Sequence, residues 1–326
     1  MKKGLLLINI GSPEAPDISA VRRYLREFLS DKRVIDLPAL LRYILLYGFI
    51  LPFRPKKSAH AYQAIWTPKG SPLICYSEQL CEQLQQHLGT DYTVVLGMRY
   101  GTPSIATALQ QLKACEHITI LPLYPQYSSA ATGSSIEKVL QTLLPTTIFP
   151  SINVIRDFYS HPAFIYAQAE LIKPHIQNHD YILFSYHGVP ERHLLKGGCK
   201  TICENSCPSA AATSGCYRAQ CFETTRLLAE TLQLTAFSSA FQSRLGKTPW
   251  IRPYTDEILV TLINKGIKRL AVACPSFVTD CLETIEEIGI RAKEQWLALG
   301  GEELTLIPCL NDNPLWVNAI TKLINV

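Results

Sequence analysis

The chain has 326 residues, of which 47% are hydrophobic and 18% charged, which excludes a disordered or fibrous polypeptide and allows two ordinary domains or one large α/β unit. Its 31 basic and 27 acidic residues give a formal charge of +4 with no basic block or tail, so nucleic-acid binding is not suggested, although a local basic cluster could hold a small anion. The amino terminus lacks a signal-peptide pattern, and 11 cysteines fit a cytoplasmic chain with free thiols rather than a disulfide framework.

In chain order, residues 4–10, 93–96, 118–123, 181–184 and 270–273 read as buried parallel strands, each ending in a polar or glycine-bearing turn. Helical periodicity covers 18–29, 76–87, 104–115, 134–144, 162–177, 223–232, 255–265 and 282–299. This alternation is that of a doubly wound α/β protein. The turn at Gly11-Ser12-Pro13 has its counterpart at His187-Gly188, and residues 124–128 have theirs at 274–280. Two similar Rossmann-like domains are therefore expected, 1–150 and 151–326, with parallel sheets facing a cleft.

The most apolar stretch, 39–53, contains Arg42, Gly48 and Pro52 and is shorter than the ~20 residues a membrane span requires. It reads either as a core helix or as an exposed apolar lip that touches a membrane or a greasy ligand. Arg54 and Lys57 follow it, with Ser71 after the next turn, and a basic pair beside an apolar wall suits a flat ligand with an acidic edge. A solvated turn would look the same. Arg99, after the strand at 93–96, is a similar polar strand end.

The strand at 181–184 runs on through Ser185 and Tyr186 to His187 at its carboxyl edge, where open α/β sheets bind ligands. After the strand at 270–273, Asp280 is a plausible helix cap, and acidic residues in the first turn suit the helix dipole. Glu283 and Glu287 then share one helical face, where like charges repel unless a cation or a proton lies between them. They form a metal or proton path if that face lines the cleft, and a solvated surface if it does not. Cys199, Cys203, Cys207, Cys216 and Cys221 lie within 23 residues of no evident helix or strand signal. A metal centre would order such a segment, and thiolates select iron-sulfur clusters or zinc.

Seven motifs together resemble the ferrochelatase family over nearly the whole chain. They are Leu-Leu-Leu-Ile-Asn-Ile-Gly-Ser-Pro-Glu from Leu5, Gly-Ser-Pro-Leu from Gly70, Met-Arg-Tyr from Met98, Tyr-Pro-Gln-Tyr-Ser from Tyr124, Ser-Tyr-His-Gly from Ser185, Phe-Gln-Ser-Arg-Leu-Gly from Phe241 with Pro249-Trp250, and Phe-Val-Thr-Asp-Cys-Leu-Glu-Thr from Phe277. The resemblance implies insertion of ferrous iron, as substrate, into protoporphyrin IX to give protohaem and two protons. It makes His187 the cleft histidine, Glu283 its acidic partner on the opposite wall, and Glu287 the extension of that path. It assigns Arg54, Lys57 and Ser71 to the propionates and Ile10, Arg99, Tyr124 and Trp250 to the pocket lining. The stretch 39–53 becomes the pocket lip, with peripheral membrane contact.

The chain departs from the family pattern at Cys281, where many relatives have histidine, and at Ile10, where others have Met or Tyr. Ser129 stands where animal-type iron-sulfur members carry a cysteine, so a cluster is expected within 199–221. By resemblance to bacterial members with an internal cysteine insertion, its ligands are Cys199, Cys203, Cys207 and Cys216, with Cys221 as alternate. A [2Fe-2S] centre is expected, with zinc as the alternative. A non-catalytic haem or iron sensor using that centre is the competing reading of the whole chain.

Overall fold

The computed structural model describes residues 2–203, 215–246 and 248–325. In the first half β1 (Lys3–Asn9), α1 (Ile18–Ser30), α2 (Ala39–Ile44), α3 (Leu51–Ile65), α4 (Pro72–Leu88), β2 (Tyr92–Met98), α5 (Ile105–Gln111), β3 (His117–Pro122), α6 (Ser134–Leu143) and β4 (Ser151–Val154) follow one another. The second half continues with α7 (Pro162–Ile176), β5 (Tyr181–His187), α8 (Glu191–Lys196), α9 (Tyr217–Leu232), β6 (Phe237–Gln242), α10 (Thr255–Asn264), β7 (Arg269–Ala273), α11 (Lys293–Ala298), β8 (Glu303–Leu306) and α12 (Pro314–Ile324). Short π-helical segments occupy Leu45–Ile50 and Ser129–Gly133, and a longer one, Leu282–Ala292, leads into α11.

Both sheets are parallel and have four strands, ordered β2-β1-β3-β4 and β6-β5-β7-β8. Counting strands from the start of each half, the two orders are the same. Each sheet therefore has its topological switch point between equivalent strands, β1 and β3 in one and β5 and β7 in the other. The last strand of the first sheet lies just beyond residue 150.

Strand alternation divides the core. Leu5 and Leu7 join Ile182, Phe184 and Tyr186 in a cluster shared by the two halves, whereas Leu6 and Ile8 pack on the outside with α5 and Leu183 packs outside with α10 and Trp296. Bonds between neutral side chains and backbone also cross between the halves. Asn9 Nδ2 donates to Thr279 Oγ1 (3.3 Å), Gln126 Nε2 to Thr224 Oγ1 (3.0 Å), and the Tyr127 amide to Gln220 Oε1 (2.6 Å). These groups end β1, follow β3 and β7, or lie on α9, so the carboxyl edges of the two sheets are held face to face.

Gly11 shows how tightly the β1 edge is built. Its φ is +103°, and a Cβ there would lie 1.8 Å from the Tyr100 carbonyl oxygen. Only glycine lets the chain leave β1 beside Tyr100.

Two alternatives that the sequence leaves open are decided, and one expectation changes. The apolar stretch is not core: Leu40, Leu41, Tyr43, Ile44, Tyr47, Phe49 and Phe53 are exposed, and among its large apolar side chains Leu46 and Leu51 are buried. Arg54 and Lys57 lie on α3 rather than in a turn, because the helix runs through Pro55. The cysteine-rich stretch has helix signal at its end, since α9 starts at Tyr217 and contains Cys221. Among the described residues, no helix is long and apolar enough to cross a membrane.

Candidate active site

His187 closes β5, and the residue after it has no room for a side chain. A Cβ on Gly188 would lie 2.9 Å from the Gln242 carbonyl oxygen and 3.2 Å from Trp250 Cε3. The imidazole Nδ1 lies 2.6 Å from the Gly188 carbonyl oxygen. A carbonyl only accepts, so Nδ1 carries the hydrogen and the neutral ring leaves the Nε2 lone pair free for a proton or a metal ion. The His187 backbone is fixed at both polar atoms: its N–H donates to Ser276 Oγ (3.0 Å), and its carbonyl accepts from Tyr217 Oη (2.8 Å). The rings of Trp250 and Phe277 lie 6.4 and 6.1 Å from the imidazole, centroid to centroid.

Glu283 and Glu287 belong to the π-helix Leu282–Ala292, which follows β7, the neighbour of β5 in the sheet. Histidine and carboxylates are therefore carried by adjacent strands of one sheet. Cys281 caps this helix, with its thiol and the Thr284 hydroxyl forming a reciprocal capping box. Gln242 ties the parts together. Its Oε1 accepts from Ser185 Oγ (2.6 Å), and its Nε2 donates to the Glu283 carbonyl (2.6 Å).

The two carboxyl groups have different surroundings. Glu287 accepts from the Ser243 amide (2.8 Å) and the Ser243 hydroxyl (2.5 Å). Ser243 reaches both oxygens from a left-handed backbone, φ 65°. Burial pushes the Glu287 carboxyl above the usual carboxylate range, against the Ser243 bonds and the nearby His187 and Arg291. It holds a proton to higher pH than an exposed glutamate does. Glu283 faces the first half instead: burial raises the phenols of Tyr24 and Tyr62 well above their ordinary values, and the Glu283 charge raises them further. Burial lowers the Arg54 guanidinium, and the same Glu283 charge opposes that shift.

Of the residues expected at the site, His187, Glu283, Glu287, Trp250 and Arg54 come together. Ile10 is half-buried where the shared core meets the core of α1 and α3. Tyr124 is half-buried, and burial raises its phenol. Arg99 is held by Asp31 Oδ2 (2.5 Å) and Ser134 Oγ (2.6 Å), so its charge is already matched. Ser71 is buried at the start of α4, and Lys57 is exposed on α3. Tyr24, Tyr62, Gln242, Ser243, Tyr217 and Phe277 were not assigned from sequence. Gln242 and Ser243 do stand inside the motif from Phe241, and that was the signal available.

Cys199 and Cys216 are half-buried against the shared core, and Cys203 is half-buried as well. Cys207 lies outside the described residues. Cys221 is fully buried within α9, and burial drives its thiol well above the ordinary range, which disfavours it as a thiolate ligand. Among the described residues no group of three or more His, Cys, Asp or Glu side chains gathers to hold a metal ion.

A family model described as Ferrochelatase matches residues 2–326. A ferrochelatase of Legionella pneumophila (strain Lens) is 61% identical over 328 residues, covering 100% of this chain and 99% of that protein. One from Coxiella burnetii (strain Dugway 5J108-111) is 54% identical over 332 residues, covering 99% of this chain and 93% of its own. Among solved structures, SirB from Bacillus subtilis with Fe3+ is similar at a TM-score of 0.55 and 14% identity, covering 100% of this chain and 95% of the other, a likeness of fold.

The Gly188 carbonyl fixes one tautomer. Nitrogen-15 NMR of imidazole-labelled protein in alkaline buffer should show His187 protonated at Nδ1 and bare at Nε2, the signal being assigned by its loss in His187→Ala. The opposite tautomer would mean that no lone pair faces the cleft.

Proposed function

The chain belongs to the ferrochelatase family, and we propose how its residues carry out the family's reaction, the insertion of ferrous iron into a porphyrin. Two pyrrole N–H protons leave the macrocycle as Fe2+ enters, and the products are haem and two protons. His187 Nε2 accepts a pyrrole proton or meets the incoming ion, its ring being held in one orientation by the Gly188 carbonyl. Glu283 offers a carboxylate to iron on the side of Arg54 and Tyr62. Glu287, raised by burial and close enough to His187 to feel its charge, takes the proton onward. The observation that carries this reading is the contact of His187 Nδ1 with the Gly188 carbonyl, which turns Nε2 away from that bond, together with the buried Glu287 carboxyl whose proton affinity responds to His187.

Arg54, Lys57 and Ser71 would hold the acidic edge of the porphyrin, and Ile10, Tyr124 and Trp250 would line the macrocycle. Arg99, matched by Asp31, would shape the pocket wall rather than carry substrate charge. A half-buried guanidinium such as Arg54 is favoured by an incoming carboxylate, which supports its place at the propionates. The apolar lip favours protoporphyrin IX as substrate, since that ring has the fewest acidic groups to desolvate. The two sheets are read as the cores of two domains that enclose it. Full-length likeness to ferrochelatases leaves the sensor reading without an observation in its favour.

A [2Fe-2S] centre on Cys199, Cys203, Cys207 and Cys216 is the further part of this reading, with zinc as alternative. Cys199 and Cys216 fit it, being half-buried on one core with α8 ending just before the first and α9 starting just after the second. Such a group would supply a cross-link and one-electron redox chemistry. Cysteines used as metal ligands rather than in disulfides suit a cytoplasmic setting.

The lip would rest on a membrane surface. Its exposed side chains adjoin an open cavity of about 380 Å³ lined by Ser19, Arg22, Arg23, Arg26, Tyr47, Leu51 and Pro52. Arg22 and Arg26, four apart on α1, repel one another and have no ion-pair partner among the described residues, so an anionic headgroup is the fitting neighbour.

With Fe2+ under anaerobic conditions, kcat should fall by about 10²-fold or more in His187→Ala and in Glu283→Gln. Because the Glu287 carboxyl is raised, the acid limb of the wild-type kcat/KM profile should lie above the ordinary carboxylate range and vanish in Glu287→Gln. Full activity in His187→Ala would overturn the assignment. For the cluster, protein purified anaerobically should be coloured and lose its visible absorption in Cys199→Ser; colourless protein with stoichiometric zinc would select the alternative. For the lip, the protein should sediment with phosphatidylglycerol vesicles more than with phosphatidylcholine vesicles, and Leu40→Ser with Phe53→Ser should abolish both. Equal recovery of wild type and the double variant would exclude the lip as the contact.

A further inference from the structure

We propose that Asp36 is a positioning residue that clamps the root of the apolar lip to the wall carrying His187, and so holds His187 in register while a porphyrin is bound. The inference rests on the catalytic reading of His187 given above. Asp36 lies between α1 and α2, just before Pro38, the N-cap of the lip helix. Its Oδ1 accepts from Arg192 Nε (2.6 Å) and its Oδ2 from Lys196 Nζ (2.7 Å), with His193 Nε2 3.6 Å away. All three residues stand on α8; burial lowers the His193 imidazole, so Arg192 and Lys196 are the cations that hold Asp36.

This helix is bonded to the catalytic wall. It begins three residues after Gly188; the Glu191 amide donates to the Pro249 carbonyl (3.1 Å), and the Ile251 amide donates to the Val189 carbonyl (3.0 Å), on either side of Trp250. The other end of the strap is equally fixed. Asp31 binds Arg99, Tyr100 and Ser134, and Arg33 binds Glu137, so the segment 31–38 is anchored in the first half before it reaches α8. Among the described residues, no other ion pair joins a residue before 150 to one after it.

The Asp36 side chain is 11% exposed, whereas Arg192 and Lys196 are 37% and 63% exposed. Burial raises the Asp36 carboxyl, but the hydrogen bonds from Lys196 and Arg192 bring it down to about 2, so it stays charged at any working pH. Ion pairs with exposed partners add little to stability. The consequence of this one is therefore geometric: it sets where the lip stands against the His187 wall.

The test is steady-state metallation of protoporphyrin by Fe2+ in Asp36→Asn, Asp36→Glu, Arg192→Gln with Lys196→Gln, and all three neutral substitutions combined. Asp36→Asn should lower kcat by about tenfold, because small misplacements at a reacting centre are costly, while both KM values stay within about twofold and the melting temperature is unchanged. Asp36→Glu should recover most of the rate, and the combined variant should be no slower than Asp36→Asn alone. Wild-type kcat in Asp36→Asn, additive losses, or a loss that tracks melting temperature would overturn the clamp. An inactive His187→Ala beside a fully active Asp36→Asn would reject the clamp and keep the site, whereas an active His187→Ala would reject the site itself.

Discussion

A parallel strand that ends at a switch point has no connecting chain crossing above it, so the last residues of its two flanking strands open into a crevice. This chain has two such crevices, and the bonds of Asn9, Gln126 and Tyr127 across the interface turn them toward each other. Everything with chemical potential follows from that meeting. Ile10 and Tyr124 leave β1 and β3 on one side, while His187 and, after β7, the π-helix of Glu283 and Glu287 leave the other. Because both crevices end buried strands, the side chains there are supported by packed cores rather than by mobile loops.

Burial then decides which groups carry charge. Tyr24 and Tyr62 are pushed toward the neutral phenol, as is Tyr124, and Glu287 is pushed toward the protonated acid. The thiols of Cys274, Cys281 and Cys309 are raised well above their ordinary values by the same cause, so they do not compete as thiolates for a soft metal ion. What remains around Glu283 is one guanidinium and neutral donors. Such surroundings suit the roles proposed for Glu283 and His187.

The long apolar runs of β1, β3, β5 and β7 were legible because strands buried on both faces need continuous hydrophobic sequence. The shorter β4 and β8 lie at sheet edges, and β6, Phe-Ser-Ser-Ala-Phe-Gln, has too many small polar residues to read as a buried strand. The early start of α9 was hidden by its cysteines and by Arg218, which is 2% exposed yet reads as a surface residue. In the site, His187 and Glu283 could be found from strand ends and helix starts. Ser243 could not be found that way, since its role depends on a left-handed backbone, and Asp36 could not, since its three partners are 156–160 residues away.

The cysteine-bearing stretch is also tied to the histidine wall by physical contacts that proximity in sequence does not reveal. On its amino-terminal side, the Cys199 amide donates to the Leu194 carbonyl of α8 (3.1 Å), the helix gripped by Asp36. On its carboxyl-terminal side, Cys216 caps α9, and the next residue, Tyr217, donates its hydroxyl to the His187 carbonyl. The described residues on either side of 204–214 are thus bonded to two of the supports that fix the end of β5. A bond between Cys199 and Cys216, through any shared metal, would close a ring of structure containing α8, Gly188, His187 and Tyr217. Tightening that ring would constrain the imidazole without touching it.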